Sequence, residues 1–338
     1  MEVPKKNNAL KTVLTIVISI AVAVFFMWLA FRGLQFSEIK GYFAKANYWW
    51  VAAAAVFGIM AYWFRAIRWN LLFEPMGYQI SNSNSFWSIA FGYLMNLTIP
   101  RSGEVARATA LYGVEKVPVD KSFGTIILER VIDLICMLLF LGLTLIFKFD
   151  AIAAFYNHAT NEGSEQDSSK DWIWIAVLLA AASVIAFFTM RKQLEKLPVL
   201  GKLYKIADGL LEGILSIFKL KKPGNFIFYS LGIWICYYFA AYLVCFALPE
   251  TANFTIADGF FIIVVGTLGM MVPASGGIGA FHFALKIGIG ALFLTTGKSF
   301  EAGNEVGLAY AFISHTMQLV IMAVLGFISI PMLAKNRV

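Results

Sequence analysis

Charge is scarce in this chain: acidic and basic side chains make up 14% of 338 residues, against roughly 25% in soluble domains. With 60% of residues hydrophobic, the shortage excludes a water-soluble fold with an ordinary charged surface. Cysteine is scarce too. Cys136, Cys236 and Cys245 all fall inside apolar runs and form no C-x-x-C pair, so they read as lipid-buried or core thiols, without a disulfide framework or zinc site. Nucleotide signatures are missing. Gly297-Lys298-Ser299 looks like the end of a P-loop, but Leu292 stands where that motif needs glycine, and no Rossmann or H-E-x-x-H pattern occurs. No cofactor, metal or ATP hydrolysis is expected.

What the chain has instead is apolar runs of about 20 residues, the length a helix needs to cross a hydrocarbon core of ~30 Å. Full spans are expected at Thr12–Phe31, Tyr48–Phe73, Ser122–Phe147, Trp172–Met190, Phe226–Leu248 and Val306–Leu333. The net charge of +7 therefore bears on topology rather than on nucleic acid, because Lys and Arg gather in cytoplasmic loops. The segment 191–225 carries eight bases against three acids and reads as cytoplasmic, whereas 149–171 carries five acids against Lys170 and reads as an exterior loop. Both termini are then expected on the cytoplasmic side of a cell membrane. Arg32, Lys40 and Lys45 cut against this assignment. Within the basic segment, Leu203, Ile206, Leu210, Ile214 and Ile217 recur at helical spacing, which suits either an interfacial helix on anionic lipid or a helix packed under the bundle.

Two apolar pieces are too short to span alone. Phe86–Ile99 is ended by Pro100 and followed by the charged stretch Arg101–Tyr112; Ile256–Val272 is ended by Pro273 and followed by Phe281–Leu294. Each reads as a re-entrant or broken element. They hold matching places in two halves, 12–148 and 172–333, each with three crossings, so the halves have opposite orientation. The fold expected is an all-α polytopic integral membrane protein of about six full spans plus two re-entrant or broken helical elements, in an inverted-repeat architecture typical of secondary transporters.

Several polar residues fall where hydrocarbon would make them costly. Arg101, Glu104 and Arg107 are spaced for contact along one helix, and paired guanidiniums suit a lipid phosphate. Ordinary positive charge at the headgroup boundary is the alternative. Glu129 and Asp133 share a face with Arg130 in reach of Asp133, which suits a translocation pathway or a structural ion pair with Arg101 or Arg107. In the second half, His282 with Lys286 and then His315 allow a proton-linked role, or plain helix-to-helix hydrogen bonds. Gly276, Gly277 and Gly279 permit a sharp break or close backbone approach.

The run Asn96-Leu97-Thr98-Ile99-Pro100-Arg101-Ser102-Gly103-Glu104 with Arg107, the group Glu129-Arg130 with Asp133, and Pro273-Ala274-Ser275-Gly276-Gly277-Ile278-Gly279 together resemble the lysylphosphatidylglycerol synthase transmembrane-region family of flippase-like domains. The resemblance implies a flippase-like role over nearly the whole chain. Family members with a fused soluble domain make aminoacylated phosphatidylglycerol there. Because the sequence ends at Val338, just past the last run, that transferase activity is not expected here. By motif, Asn96, Pro100, Arg101, Glu104, Arg107, Glu129, Arg130, Asp133, Pro273 and the three glycines are the expected substrate or translocation residues. His282 stands where relatives carry an acid. The partner expected is a membrane lipid with an anionic or phosphate-linked headgroup. A lipid aminoacyl- or glycosyl-transferase, and a non-transporting partner of a separate lipid synthase, stay open as alternatives, as does a homo-oligomer.

Overall fold

A computed structural model describes residues 6–34, 36–99, 102–160 and 215–337. Pro100, Arg101, the expected span 172–190 and most of the basic amphipathic segment lie outside the described residues. Within them every regular element is helical: α1 (Lys6–Phe31), α2 (Phe36–Lys45), α3 (Tyr48–Phe73), α4 (Asn82–Thr98), α5 (Gly103–Glu115), α6 (Val119–Phe147), α7 (Phe149–Thr160), α8 (Pro223–Cys245), α9 (Ile256–Met271), α10 (Ala280–Thr295) and α11 (Phe300–Lys335). Six stretches are long and apolar enough to cross a membrane: Val13–Phe31, Tyr48–Met76, Val119–Phe147, Pro223–Cys245, Ser275–Thr295 and Phe300–Lys335. The protein is a multi-pass membrane protein. The expected exterior loop opens instead as α7, because Ala151 and Phe155 give it an apolar face that packs on α10 and on Phe300.

Lipid cannot satisfy backbone polar groups, so helices are the form such a chain must take. Side chains then set their ends. Asn47 caps α3 by accepting from the Trp49 amide at 3.1 Å, next to Tyr48, Trp49 and Trp50, which stand exposed as an interfacial aromatic belt. Thr255 and Asp258 form a reciprocal capping box at the start of α9.

The direction of each helix follows from contacts at its ends. The Asn47 amide donates to the Ala247 carbonyl at 2.8 Å, and Lys222 pairs with Glu74 at 3.6 Å. α3 and α8 are therefore antiparallel neighbours. Lys148, just past α6, pairs with Asp258 in the first turn of α9 at 2.8 Å. Asn336, just past α11, bonds Asn84 in the first turn of α4 at 2.7 Å. All these contacts fit two membrane faces: face one, where α3 and α11 end and α4 and α8 begin, and face two, where α6 and α8 end and α3 and α9 begin.

Both short elements are hairpins. Glu115 at the end of α5 accepts from the Ser81 amide at 3.0 Å and from Asn84 at 2.7 Å, so α5 returns to the face from which α4 entered. α10 likewise runs back along α9, bringing Phe293 beside Phe254, 6.2 Å between ring centres. Exchanging the halves maps α3 onto α8, α4–α5 onto α9–α10, and α6 onto α11. The packings α3–α4, α4–α11, α5–α6 and α3–α11 become α8–α9, α9–α6, α10–α11 and α8–α6, all of which exist. With α3 antiparallel to α8, this is the inverted repeat expected from the sequence.

Candidate functional site

The hairpin α4–α5 turns on small residues and one amide. Asn96 Oδ1 accepts from the Gly103 amide at 2.7 Å, and the Ser102 hydroxyl donates to Ile99 O at 2.7 Å and Met95 O at 3.0 Å. Gly92 and Gly103 let the two helices touch: a Cβ on Gly92 would lie 2.7 Å from the Gly103 carbonyl oxygen. This close approach brings Arg107, one turn into α5, inward against α3 and α6.

There it enters a buried ionic cluster. Arg107 pairs with Glu129; Arg68 pairs with Glu129 at 3.3 Å and with Asp133 at 2.7 Å; Arg65 pairs with Asp133 at 2.5 Å and donates to Tyr93 Oη at 2.6 Å. The Arg107 guanidinium also lies over the Trp69 ring, 4.6 Å from its centre, and the Trp69 indole N–H is held by Thr125 Oγ1 at 2.9 Å. Arg68 is 0% exposed and Glu129 2%. At 1.5 Å per residue, Arg68 lies ~8 Å inside the face-one end of α3, and Glu129 and Asp133 lie ~15 and ~21 Å along α6. The cluster is thus at membrane depth, not at its rim.

Three guanidiniums face two carboxylates, leaving one positive charge in excess. The Nε–H groups of Arg65, Arg68 and Arg107 are buried without an acceptor. Leaving charged donors unmet in a low dielectric is costly. The cluster can therefore accept one more anion.

The structure brings Arg107, Glu129 and Asp133 together as expected, and corrects Arg130. That residue turns away from Asp133 and pairs with Glu104 at 3.1 Å, the two side chains 50% and 30% exposed. The reason is geometric: Arg65 and Arg68 already occupy both Asp133 oxygens. α6 begins at Val119, three residues before the expected span, which sets the acidic group further along the helix. Arg65 and Arg68, near the far end of the second apolar run, are the residues that sequence reasoning missed. Their i, i+3 spacing inside an apolar run was the available signal.

In the second half, His282 and His315 meet with ring centres 5.0 Å apart, packed by Phe281 and Phe312. His282 Nδ1 accepts from the Gly279 amide at 3.3 Å, which caps the start of α10. Neither ring nitrogen of the buried His315 has a hydrogen-bond partner among the described residues. Pro273 and the three glycines form the hairpin tip, with positive φ at Gly276, Gly277 and Gly279. Lys286 is buried and donates to the Arg32 carbonyl at 2.8 Å. The two histidines and Lys286 sit on α10 and α11, whereas the arginine cluster is held by α3, α5 and α6; the hairpin tips meet where Gly276 approaches Leu97 of α4. Among the described residues no group of three or more His, Cys, Asp or Glu could hold a metal, and the three cysteines are buried and free.

Two relatives place the chain among known proteins. It is 24% identical over 339 residues to the glycosyltransferase AglD of Haloferax volcanii, covering 92% of this chain and 53% of that one. It is 27% identical over 129 residues to a UPF0104 membrane protein of Methanocaldococcus jannaschii, covering 37% and 38% of the two chains. The chain spans about half the length of AglD and less of the second relative. No solved structure matches. The family model for the lysylphosphatidylglycerol synthase TM region matches residues 16–334, nearly the whole chain, and the chain belongs to that family.

Proposed function

We propose that this protein is a flippase-like transporter that moves a lipid with an anionic or phosphate-linked headgroup across the cytoplasmic membrane. The observation that carries the reading is the buried cluster between α3, α5 and α6 of the first half, with one cation in excess and three unmet Nε–H donors, where Tyr237 of α8 in the second half comes within 6.0 Å of Arg65. A phosphate oxygen is an acceptor matched to a guanidinium fork. Its charge would neutralise the excess.

In this reading the headgroup enters from face one, competes with Glu129 for Arg68 and Arg107, and leaves the acyl tails in the bilayer. Arg130 and Glu104 mark the way in. They are partly exposed about 16 Å along α6 from face one, where hydrocarbon contact would be costly, so they line a wet crevice. Face one is cytoplasmic, because Lys116, Lys121, Lys219, Lys221, Lys222, Lys335 and Arg337 outnumber Glu74, Glu115 and Asp120 there. N- and C-termini then both lie inside.

The name of the AglD relative favours a second reading, a lipid glycosyltransferase. It needs a free carboxylate for general acid or base work, whereas Glu129 and Asp133 are each held by two arginines. The test is reconstitution of the purified protein in vesicles with labelled lipids. Movement of an anionic or polyprenyl-linked lipid, and not of a zwitterionic one, is the result expected. Movement of no such lipid would overturn the proposal, and product formation from a sugar donor would favour the second reading.

A further inference from the structure

A groove of about 460 Å³ opens between α3 and α4, lined by Val56, Ile59, Met60, Trp63, Phe86 and Trp87, with Ser83 at the start of α4 as its one polar residue. Its size falls within the range of small-molecule sites. The α3 residues lining it stand on the outside of a membrane span, Val56 56% and Trp63 43% exposed. We propose that this groove holds one hydrocarbon tail of the lipid whose anionic headgroup the arginine cluster engages. The inference rests on the translocation reading and adds to it the place where the tail runs.

Three observations converge. Apart from Ser83 at the start of α4, the lining is hydrocarbon and aromatic, so most of the slot suits a chain of CH₂ groups rather than a headgroup. The walls are set by their own contacts: Trp63 and Phe86 lie 5.8 Å apart between ring centres, and Phe86 and Trp87 meet edge to face at 4.9 Å. The slot also leads to the charge. Phe86 packs on Tyr62 at 6.4 Å, Tyr62 on Tyr93 at 4.8 Å, and Tyr93 accepts from Arg65 at 2.6 Å. Two tyrosines in series, Tyr62 and Tyr93, stand between the tail slot and the cluster.

The second half shows that the fold does not require this opening. Its counterpart, the seam between α8 and α9, is closed. Tyr238 packs on Phe260 at 5.0 Å and on Tyr242 at 5.5 Å, and both tyrosines press so near Gly259 that a Cβ there would come 2.8 Å from the Tyr238 ring. Among the described residues, the α8–α9 seam is filled by these rings where the α3–α4 seam is open.

The test is a photo-reactive residue placed at Trp87, compared with one at Ile146, which is exposed on α6. The full chain is irradiated in vesicles of equal parts phosphatidylglycerol and phosphatidylcholine, and adducts are identified by mass spectrometry. A several-fold enrichment of phosphatidylglycerol adducts at 87 over 146 is expected. Equal adduct composition at the two positions would overturn the inference. Met60→Trp, which fills the groove from one wall, should slow lipid movement several-fold with an unchanged melting temperature. If wild type moves no lipid but position 87 is enriched, the tail slot stands and the translocation reading falls. If wild type moves lipid and Met60→Trp moves it equally fast, the slot falls alone.

Discussion

The two hairpins follow the same backbone plan with different adhesives. α4–α5 is tied by charge: Arg107 to Glu129, Glu104 to Arg130, and Glu115 to Ser81 and Asn84. α9–α10 is tied by close approach, Gly266 and Gly269 on α9 and Gly288 and Gly290 on α10 each meeting a neighbour where a Cβ would crowd. Small residues are the usual means by which helices pack in lipid. A buried cluster of paired charges is not, and its place beside the first hairpin, where the second has only the lone Lys286 and the helix-end pair Lys148–Asp258 among the described residues, argues that the first half is shaped for a ligand and the second for support.

Breaking the ionic half should have the largest effect. Glu129→Gln removes the negative charge facing both Arg68 and Arg107 while nearly keeping the side chain's shape. Removing one partner of a buried pair typically costs ~3–5 kcal/mol. Thermal unfolding in detergent should show a lower melting temperature, or a loss of monodisperse protein. An unchanged melting temperature would mean that the pairing is dispensable to the fold.

In the glycine half the matching break is Gly279→Ala. This residue has φ +85°, and a Cβ on it would overlap the Ala23 carbonyl of α1. The left-handed conformation alone costs roughly 1–3 kcal/mol for a residue with a side chain, and α1 must also shift away from the hairpin. A reporter on the Ser19–Ser275 contact, 3.2 Å apart, such as a cysteine pair tested for crosslinking, should lose its signal. Retained crosslinking would show that α1 tolerates the bulge.

Much of this architecture could be read before any coordinates. Apolar runs gave five of the expected spans, while Trp172–Met190 lies outside the described residues and Ser275–Thr295 proves long enough to cross where Phe281–Leu294 read as too short; Pro100 and Pro273 with their Ser-Gly followers marked where each element breaks, because lipid leaves the backbone few options. The site was harder. Glu129 and Asp133 stood out as charge within a span, but their partners Arg65 and Arg68 are 61 or more residues away in sequence, and only the fold brings α3 beside α6. The Arg130–Asp133 pairing failed for the same reason: local spacing cannot show that distant arginines have filled the acceptor.

Lys286→Met sharpens the comparison further. Lys286 is the buried base of the second hairpin, and its hydrogen bond goes to a helix-end carbonyl, not to a carboxylate. Exchanging it for an apolar side chain of similar length costs no more than the net value of that bond, ~0.5–1.5 kcal/mol. Arg107→Met in the first hairpin takes one of the two arginines from the buried Glu129, leaving it to Arg68 at 3.3 Å, and should cost more than Lys286→Met. Comparable losses in melting temperature for the two variants would contradict a charge-held first half and a packing-held second.

The smallest effect is expected at Glu104 and Arg130, and it bears on whether the crevice is wet. A half-exposed pair in water is worth ~0.2–1 kcal/mol and weakens with salt. The same pair facing hydrocarbon could not be broken so cheaply, because either partner alone would be an unpaired charge in lipid. A double-mutant cycle of Glu104→Ala and Arg130→Ala, read by unfolding at low and high ionic strength, separates the cases. A coupling under ~1 kcal/mol that fades with salt fits water reaching the hairpin tip. A coupling well above that and indifferent to salt would close the crevice, and with it the proposed way in for the headgroup.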